Sequence, residues 1–339
     1  MALLSIWGIL LVVLGHSGFE EPIIADNLSD LRHWIYSFHM PLFFFISGFL
    51  YSHTNSDFMS INTGAFLVKK VKRLLVPYIV LGSIIWGIKY ALSSLSYANR
   101  EFSIVNFLIM FVSPQIPNST LGYLWFLFTL LMVFVIMLIL IKIRCNLKKV
   151  MWCIVFILIS WLVYAQIPQI HWFSLSNICW YSPFFVIGIL FKKYEKEMQK
   201  FLSRFSVLGV AILFFGLLSI MLIYSDSWWL PQYSFTAILL SAISGLVFSV
   251  TFCSFLLKFD FIHHYFLGFS KYTYSIYLLS WFAQYGAQFI FLNILHFPWY
   301  WVVALLFVFQ IILPIFACKL IDSNDWLSKQ KFLRLVVGY

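Results

Sequence analysis

Charged residues are scarce in this sequence. Asp, Glu, Lys and Arg make up only 10% of its 339 residues, whereas soluble domains contain about 25% of them. Hydrophobic residues account for 63% of the chain, and the mean hydropathy is +0.94. The length alone would suggest two soluble domains, but the apolar runs leave no space for them. The composition therefore excludes an ordinary soluble enzyme and predicts a protein embedded in a membrane.

Sequence motifs of several enzyme classes are absent as well. There is no Walker A motif and no GxGxxG motif, so ATP hydrolysis and Rossmann-type nucleotide binding have no support. GxSxG, HExxH and CxxC are also missing, which argues against a serine hydrolase, a zinc protease and a redox centre. We therefore expect no metal site, and we expect the five cysteines to be small buried residues: Cys145, Cys153, Cys179, Cys253 and Cys318.

Long apolar runs follow one another along the chain. A membrane-spanning helix needs about 20 mostly apolar residues, and ten stretches approximately meet that requirement. The sequence predicts an all-α polytopic bundle of about ten helices, with residues 1–322 as a single domain and residues 323–339 as a short basic tail. The apolar stretch 103–113 is too short to span and is interpreted as re-entrant or interfacial. The predicted spans are 1–18, 34–51, 74–95, 121–143, 150–166, 175–191, 204–224, 233–257, 265–292 and 299–320.

Basic residues cluster between alternate predicted helices. If both termini lie in the cytoplasm, all 22 Lys and Arg residues except Arg32, Lys89 and Arg100 fall on the cytoplasmic side. This distribution matches the positive-inside rule. It predicts a multi-pass protein of a cell membrane, with a bacterial inner or plasma membrane as the leading expectation. The net charge of +10 then reflects this bias and contact with anionic lipids, so we expect no nucleic acid partner.

Two histidines lie within the first two predicted membrane helices. His16 follows an apolar run, and His39 stands beside Met40-Pro41. Ionisable groups in membrane helices are costly and therefore candidates for function. The two helices are joined by a short loop, so both histidines are expected to face one polar cavity. Alternatively, each ring only meets water at the level of the lipid headgroups, which is our interpretation for His33.

A neutral imidazole is a competent general base near pH 7. It can take the proton from a sugar hydroxyl while the oxygen attacks an activated acyl carbonyl, or it can carry the acyl group itself. His16 and His39 are therefore the catalytic candidates.

A basic run precedes the third predicted span, in the sequence KKVKRLLVPY from Lys69 to Tyr78. One interpretation is membrane anchoring by the positive-inside rule and by anionic lipids. The other is a phosphate clamp for a nucleotide-bearing donor such as acyl-coenzyme A. Arg73 is nearest to the predicted helix and is the leading candidate for donor binding, together with Lys69 and Lys72.

Several stretches of this sequence also occur, in the same order, in a known family. IWGILLVVLGHSG ends in Gly-His like that family's opening helix, FHMPLFFFISGFLY matches the segment after its first outer loop, and KKVKRLLVPY matches its basic run. Three weaker matches follow, namely LWFLFTLL from Leu124, YSPFFVIGILF from Tyr181 and YSIYLLS from Tyr274. On these motifs the chain resembles the membrane acyltransferase family 3, in particular its fucose 4-O-acetylase-like branch.

The resemblance implies a fold, an activity and roles for residues. It implies ten helices and transfer of an acyl group, usually acetyl from acetyl-coenzyme A, to hydroxyls of surface polysaccharides or their lipid-linked precursors. The family's two helix histidines correspond to His16 and His39, and its basic residue before Leu-Leu-x-Pro-Tyr corresponds to Arg73. Two positions depart from the pattern, because Ser5 replaces a usual basic residue and Ser280 replaces a frequent histidine.

Two other functions stay open beside the acyltransferase. The first is a transporter or flippase of a polysaccharide precursor, although a transporter often has internal repeats and none is evident. The second is an inactive paralogue that acts as a partner in a polysaccharide-synthesis complex, which the departures at Ser5 and Ser280 favour.

Overall fold

The computed structural model describes residues 1–17, 22–54, 63–91, 103–115, 121, 123–142, 149–166, 170–202, 234–262 and 266–338. Within these ranges the regular structure is helical and contains no β-strand, which confirms the all-α class for them. The predicted span 204–224 lies outside the described residues. The helices are α1 (Ala2–His16), α2 (Pro22–Thr54), α3 (Thr63–Lys70), α4 (Val76–Ala91), α5 (Ile104–Val112), α6 (Trp125–Lys142), α7 (Lys149–Gln166), α8 (Leu175–Lys193), α9 (Glu195–Leu202), α10 (Ser234–Leu256), α11 (Thr273–Gln288), α12 (Trp299–Ser323), α13 (Asp325–Ser328) and α14 (Lys331–Val336).

Within the described ranges, five helical stretches are long and apolar enough to cross a membrane. They are Trp34–Thr54, Thr63–Ala91, Trp172–Lys193, Ile238–Leu256 and Trp299–Ser323. Three shorter apolar helices are Ala2–His16, Trp125–Ile139 and Met151–Gln166. Each of these eight overlaps a predicted span, so the membrane character of the chain is confirmed. Ten spans with both termini in the cytoplasm stay a prediction.

Two predicted spans differ from the observed helices. The helix predicted at 74–95 begins earlier, because α3 continues into α4 through the π-helical turn Val71–Leu75. The basic run therefore lies inside a continuous helical stretch and does not precede it. The span predicted at 265–292 combines a 3-10 helix, Leu267–Tyr272, with α11 and a π-helical segment, Phe289–Ile294.

The chain divides into two compact units. The first contains Met1–Tyr51 and Ile187–Ser323, and the second contains Ser52–Val186 and Asn324–Tyr339. Each unit is internally packed, and both candidate histidines belong to the first one, whereas the basic run belongs to the second. A single domain over residues 1–322, with residues 323–339 as a separate tail, stays a prediction.

Helix α1 is the central helix of the first unit. Its buried residues point in every direction around the axis, as expected for a helix that is hydrophobic all round. It contacts α10, α11 and α12. Against α10, the Nε1 of Trp7 donates a hydrogen bond to the Oγ of Ser249 at 3.2 Å. Helix α1 is therefore held from several sides.

Two glycines on α1 set its register against α2. A Cβ added at Gly8 would lie 3.0 Å from the ring of Phe43, and one added at Gly15 would lie 2.9 Å from the ring of Tyr36. The two glycines are seven residues apart, about two helical turns. Their contacts Phe43 and Tyr36 are also seven residues apart, but in the opposite order along the chain. The helices are thus antiparallel and in close contact, as small residues allow in membranes.

Two further glycines bring other helices of the first unit against α2. A Cβ added at Gly245 of α10 would lie 2.3 Å from Phe38. One added at Gly188 of α8 would lie 2.1 Å from the backbone oxygen of Phe45. Helix α2 is therefore packed through glycines on more than one side, which fixes where its polar residues lie.

In the second unit, α5 coincides with the apolar stretch predicted not to span. It has nine residues and is capped by Ser103, whose Oγ accepts a hydrogen bond from the N–H of Asn106 at 3.0 Å. At its other end, the hydroxyl of Tyr78 lies 3.1 Å from the carbonyl oxygens of Met110 and Phe111. Tyr78 thus caps α5 where helical carbonyls lack partners. The re-entrant or interfacial location stays a prediction.

Four of the five cysteines fall within the described ranges, and none of these four forms a disulfide. Cys253 and Cys318 are buried as predicted, whereas Cys153 and Cys179 are only partly buried. Cys145 lies outside the described residues. Among the residues that the structure describes, no group of three or more His, Cys, Asp or Glu side chains is arranged to hold a metal ion.

Candidate functional site

His16 is the last residue of α1, and the end of this helix is tightly hydrogen-bonded. The hydroxyl of Ser17 donates to the carbonyl oxygen of Val13 at 2.8 Å, and the hydroxyl of Tyr36 donates to that of Gly15 at 3.1 Å. The last carbonyls of a helix have no partner within the helix, and an unpaired one is expensive in lipid. These bonds stabilise the helix end and fix the backbone that carries His16.

Tyr36 also determines which nitrogen of His16 is basic. Its hydroxyl oxygen lies 3.2 Å from the Nδ1 of His16. A phenol has one hydrogen, and the carbonyl of Gly15 can only accept it. With that hydrogen given to Gly15, the phenol oxygen accepts from His16, and we assign the proton of the neutral ring to Nδ1. The lone pair is left on Nε2, the atom that can act as a base.

His39 is held in a similar way on α2. The side chain is only 4% exposed, and its Nδ1 donates to the carbonyl oxygen of Ile35 at 2.8 Å. A carbonyl is an acceptor only, so the lone pair of neutral His39 is also on Nε2. Pro41 follows within the helix and lacks the N–H that would bond the carbonyl of Ser37, which loosens the helix next to His39.

The ring of Tyr36 lies between the two histidines. Its centroid is 5.5 Å from that of His16 and 5.0 Å from that of His39. In the antiparallel register of α1 and α2, His16 is level with Ile35, and His39 lies four residues, about 6 Å, further along the axis. The structure thus brings together the two histidines that the sequence singled out. Their catalytic role stays a prediction, and the side chain of His33 lies outside the described residues.

The basic run of the second unit separates into two faces. Lys69, Lys72 and Arg73 are exposed and spaced i, i+3 and i+4, which places them on one side of a helix. Lys70 lies on another side and is partly buried, with its Nζ 4.1 Å from the ring centroid of Phe134. Lys70 thus makes a cation–π contact, while the other three are accessible for an anionic ligand. Donor binding by these three residues stays a prediction.

A π-helical turn carries Lys72 and Arg73. The N–H of Val76 bonds the carbonyl of Val71, five residues back. Pro77 has no N–H to offer Arg73 four residues earlier. Because π-helical turns redirect the side chains they carry, they occur frequently at functional sites.

Three residues near the histidines were not predicted from the sequence to have a role at the site. Tyr36 gave no signal, because aromatic residues make up 21% of the chain. Arg32 appeared only as a basic residue outside the clusters, yet its guanidinium carbon lies 5.3 Å from the ring centroid of Tyr36. Gln310 is 1% exposed, and its Nε2 donates to the Oγ of Ser17 at 3.1 Å. An amide within the apolar run of α12 was the signal that could have identified Gln310.

The two serines that depart from the family pattern form local hydrogen bonds. The Oγ of Ser5 donates to the carbonyl of Met1 at 3.2 Å, and that of Ser280 donates to the carbonyl of Tyr277 at 3.4 Å. Both contacts lie within the serine's own helix or at its start. Neither position supplies an ionisable group.

A family model described as an acyltransferase domain matches residues 3–318. The matched range includes His16, His39 and the basic run. No curated protein and no solved structure matches the chain.

Proposed function

The chain belongs to the acyltransferase family 3, and on this basis we propose that it moves an acyl group, first of all acetyl, from acyl-coenzyme A to a hydroxyl of a surface polysaccharide or its lipid-linked precursor. That it is a membrane acyltransferase follows from the family and from its apolar helices. The observation that supports the finer proposal is the pair of histidines around Tyr36. We place the chain in the fucose 4-O-acetylase-like branch on the stretch FHMPLFFFISGFLY, and in a bacterial cell membrane.

In this proposal His16 is the general base. Its Nε2 takes the proton of the acceptor hydroxyl as that oxygen attacks the thioester carbonyl. The electron pair of the carbonyl bond moves to its oxygen, and collapse of this intermediate expels the thiolate, which receives the proton from His16. The bond from Nδ1 to Tyr36 supports this role, because it orients the ring and persists when the ring is protonated. His39 is a second proton acceptor for the same hydroxyl.

The donor is bound by the basic run. Coenzyme A carries phosphate groups, and a guanidinium binds phosphate oxygens through two parallel hydrogen bonds. Arg73 is exposed on the π-helical turn, with Lys69 and Lys72 on the same side. We assign these three residues to the donor phosphates, whereas Lys70 has a structural role against Phe134.

The experiment is acyl transfer by the purified protein in lipid nanodiscs. Radiolabelled acetyl-coenzyme A is supplied with polymeric or lipid-linked glycan, and transfer is measured for the wild type, His16→Ala and His39→Ala. His53→Ala is the matched control, because His53 is also on α2 but is exposed. We expect a loss of at least about 100-fold for His16→Ala, the usual contribution of a general base, and no loss for His53→Ala.

Two outcomes would contradict the proposal in different ways. Undiminished transfer by His16→Ala refutes the general-base assignment but leaves the proposed acyltransferase activity standing. No transfer by the wild type with any glycan refutes the enzyme and favours the inactive partner or the transporter.

A further inference from the structure

Arg32 lies beside a candidate membrane span, and its guanidinium contacts the ring that lies between the two histidines. It stands two residues before the described span Trp34–Thr54. Its guanidinium carbon lies 5.3 Å from the ring centroid of Tyr36, one turn further into that segment. The same ring contacts both His16 and His39. One aromatic ring therefore joins a cation and the two candidate bases.

Arg32 is held beside the span by this aromatic contact. Residues four apart on a helix are neighbours on its surface, and the guanidinium of Arg32 lies over the ring of Tyr36. Arginines near the ends of membrane spans often place their charge at the headgroups. The Arg32 side chain is partly buried and lies against a ring that contacts both histidines.

Arg32 and His16 both contact the ring of Tyr36. A cation next to a base opposes protonation of that base, because two positive charges repel each other. The repulsion is offset only if negative charge develops nearby at the same moment. In acyl transfer such a charge appears on the carbonyl oxygen when the hydroxyl attacks, and that is when the base accepts its proton.

We propose that Arg32 is a catalytic residue whose guanidinium binds the oxyanion formed on the acyl carbonyl oxygen. The inference rests on the proposed function. As the acceptor oxygen bonds to the carbonyl carbon, the carbonyl electron pair moves to the oxygen, where the N–H groups of Arg32 stabilise it. When the carbonyl re-forms, the carbon–sulfur bond breaks and the thiolate of coenzyme A leaves. The donors of a guanidinium are fixed in a plane, which suits such a preorganised role.

Steady-state kinetics separates this role from simple binding. The turnover number kcat and the KM of donor and acceptor are measured for wild type, Arg32→Gln, Arg32→Lys and Lys89→Gln. Lys89→Gln is the matched control, since Lys89 is another partly buried cation outside the basic clusters. Loss of one oxyanion donor lowers kcat by about 100- to 1000-fold. We expect this loss for Arg32→Gln with both KM values nearly unchanged, a partial recovery of kcat for Arg32→Lys, and no effect of Lys89→Gln.

Other outcomes overturn the proposal. A raised KM for one substrate with unchanged kcat shows that Arg32 binds an anionic group of that substrate, such as a phosphate. Equal kcat for wild type and Arg32→Gln shows that it has no role in catalysis. If the wild type transfers no acyl group, the proposed function fails and this inference with it, whereas an active wild type with an equally active Arg32→Gln refutes the inference alone. Thermal unfolding of each variant in detergent identifies losses of kcat that arise from misfolding. If Arg32→Gln misfolds, the kcat of Arg32→Lys relative to that of the wild type decides the role of Arg32.

Discussion

Substitution of Gly188 by alanine tests the tightest helix contact in the first unit. The added Cβ would lie 2.1 Å from the carbonyl oxygen of Phe45 and 2.8 Å from the backbone nitrogen of Phe49. Real Cβ atoms essentially never come within 3.0 Å of another atom. Both neighbouring atoms belong to the backbone of α2, so no side-chain rotation can relieve the clash. The helices must move apart by more than about 1 Å to restore ordinary contact distances.

The free energy of unfolding should fall accordingly. Overpacking of a core costs about 1–3 kcal/mol, and more when the backbone must shift. We expect about 3 kcal/mol for Gly188→Ala. Gly286→Ala is the matched control, because Gly286 also lies in a helix of the first unit but a Cβ there meets nothing within 4 Å. That control removes a helix-destabilising glycine, so we expect it to be neutral or more stable by up to about 1 kcal/mol.

The assay is thermal unfolding of the purified protein in detergent, followed by tryptophan fluorescence and by the fraction that remains soluble after heating. Gly188→Ala should lower the midpoint by several degrees, while Gly286→Ala should leave it unchanged or raise it. A wild-type midpoint for Gly188→Ala would refute the close packing of α8 on α2. Equal losses in both variants would show that glycine flexibility, and not the contact with Phe45, is what matters.

Three further substitutions test the tautomer of His16 and the donor site. Tyr36→Phe removes the hydroxyl that accepts from the Nδ1 of His16, so kcat should fall by about tenfold, the equivalent of one hydrogen bond, with little change in KM. Steady-state transfer measures this, and an unchanged kcat contradicts the tautomer assigned to His16. Arg73→Ala should raise the KM for acyl-coenzyme A more than that for the glycan. Equal effects of Arg73→Ala on both KM values contradict the phosphate clamp. Lys70→Ala, which removes a contact with an aromatic ring, should lower the unfolding temperature without changing the KM for acyl-coenzyme A.

The membrane character of the chain and the proximity of the two histidines followed from the sequence. Apolar length identifies membrane helices because lipid requires it, and a short loop makes neighbours of consecutive helices. The role of Tyr36 could not be predicted in this way. It depends on the register of α1 against α2, which close contacts at Gly8 and Gly15 determine, and nothing in a single sequence shows which glycines make such contacts.

The basic run illustrates a second limit. The apolar run predicted a helix that begins at residue 74, after Arg73. The helical stretch nevertheless begins at Thr63 and passes through the run. A π-helical turn bonds Val76 to Val71 and so accommodates Pro77 without ending the stretch. Such a turn is a hydrogen-bond pattern with no distinctive composition, so the sequence could place the cations but not the face on which they lie.

Gln310 connects α12 to the end of α1, and a double-mutant cycle can determine whether that connection positions His16. Its amide donates to Ser17, whose hydroxyl donates in turn to the carbonyl of Val13. Gln310→Leu has a similar volume and leaves the bond from Ser17 to Val13 intact, so its cost in stability should be near the roughly 0.6 kcal/mol average for hydrogen bonds between membrane helices.

If the connection holds His16 in place, Gln310→Leu should lower kcat with little change in stability, and Ser17→Ala should do the same. Because both substitutions break one connection, the double variant should be hardly slower than the slower single variant. Losses in kcat that simply add would show that the two residues act independently. A wild-type kcat for Gln310→Leu would show instead that the buried amide of Gln310 serves only the packing of α12.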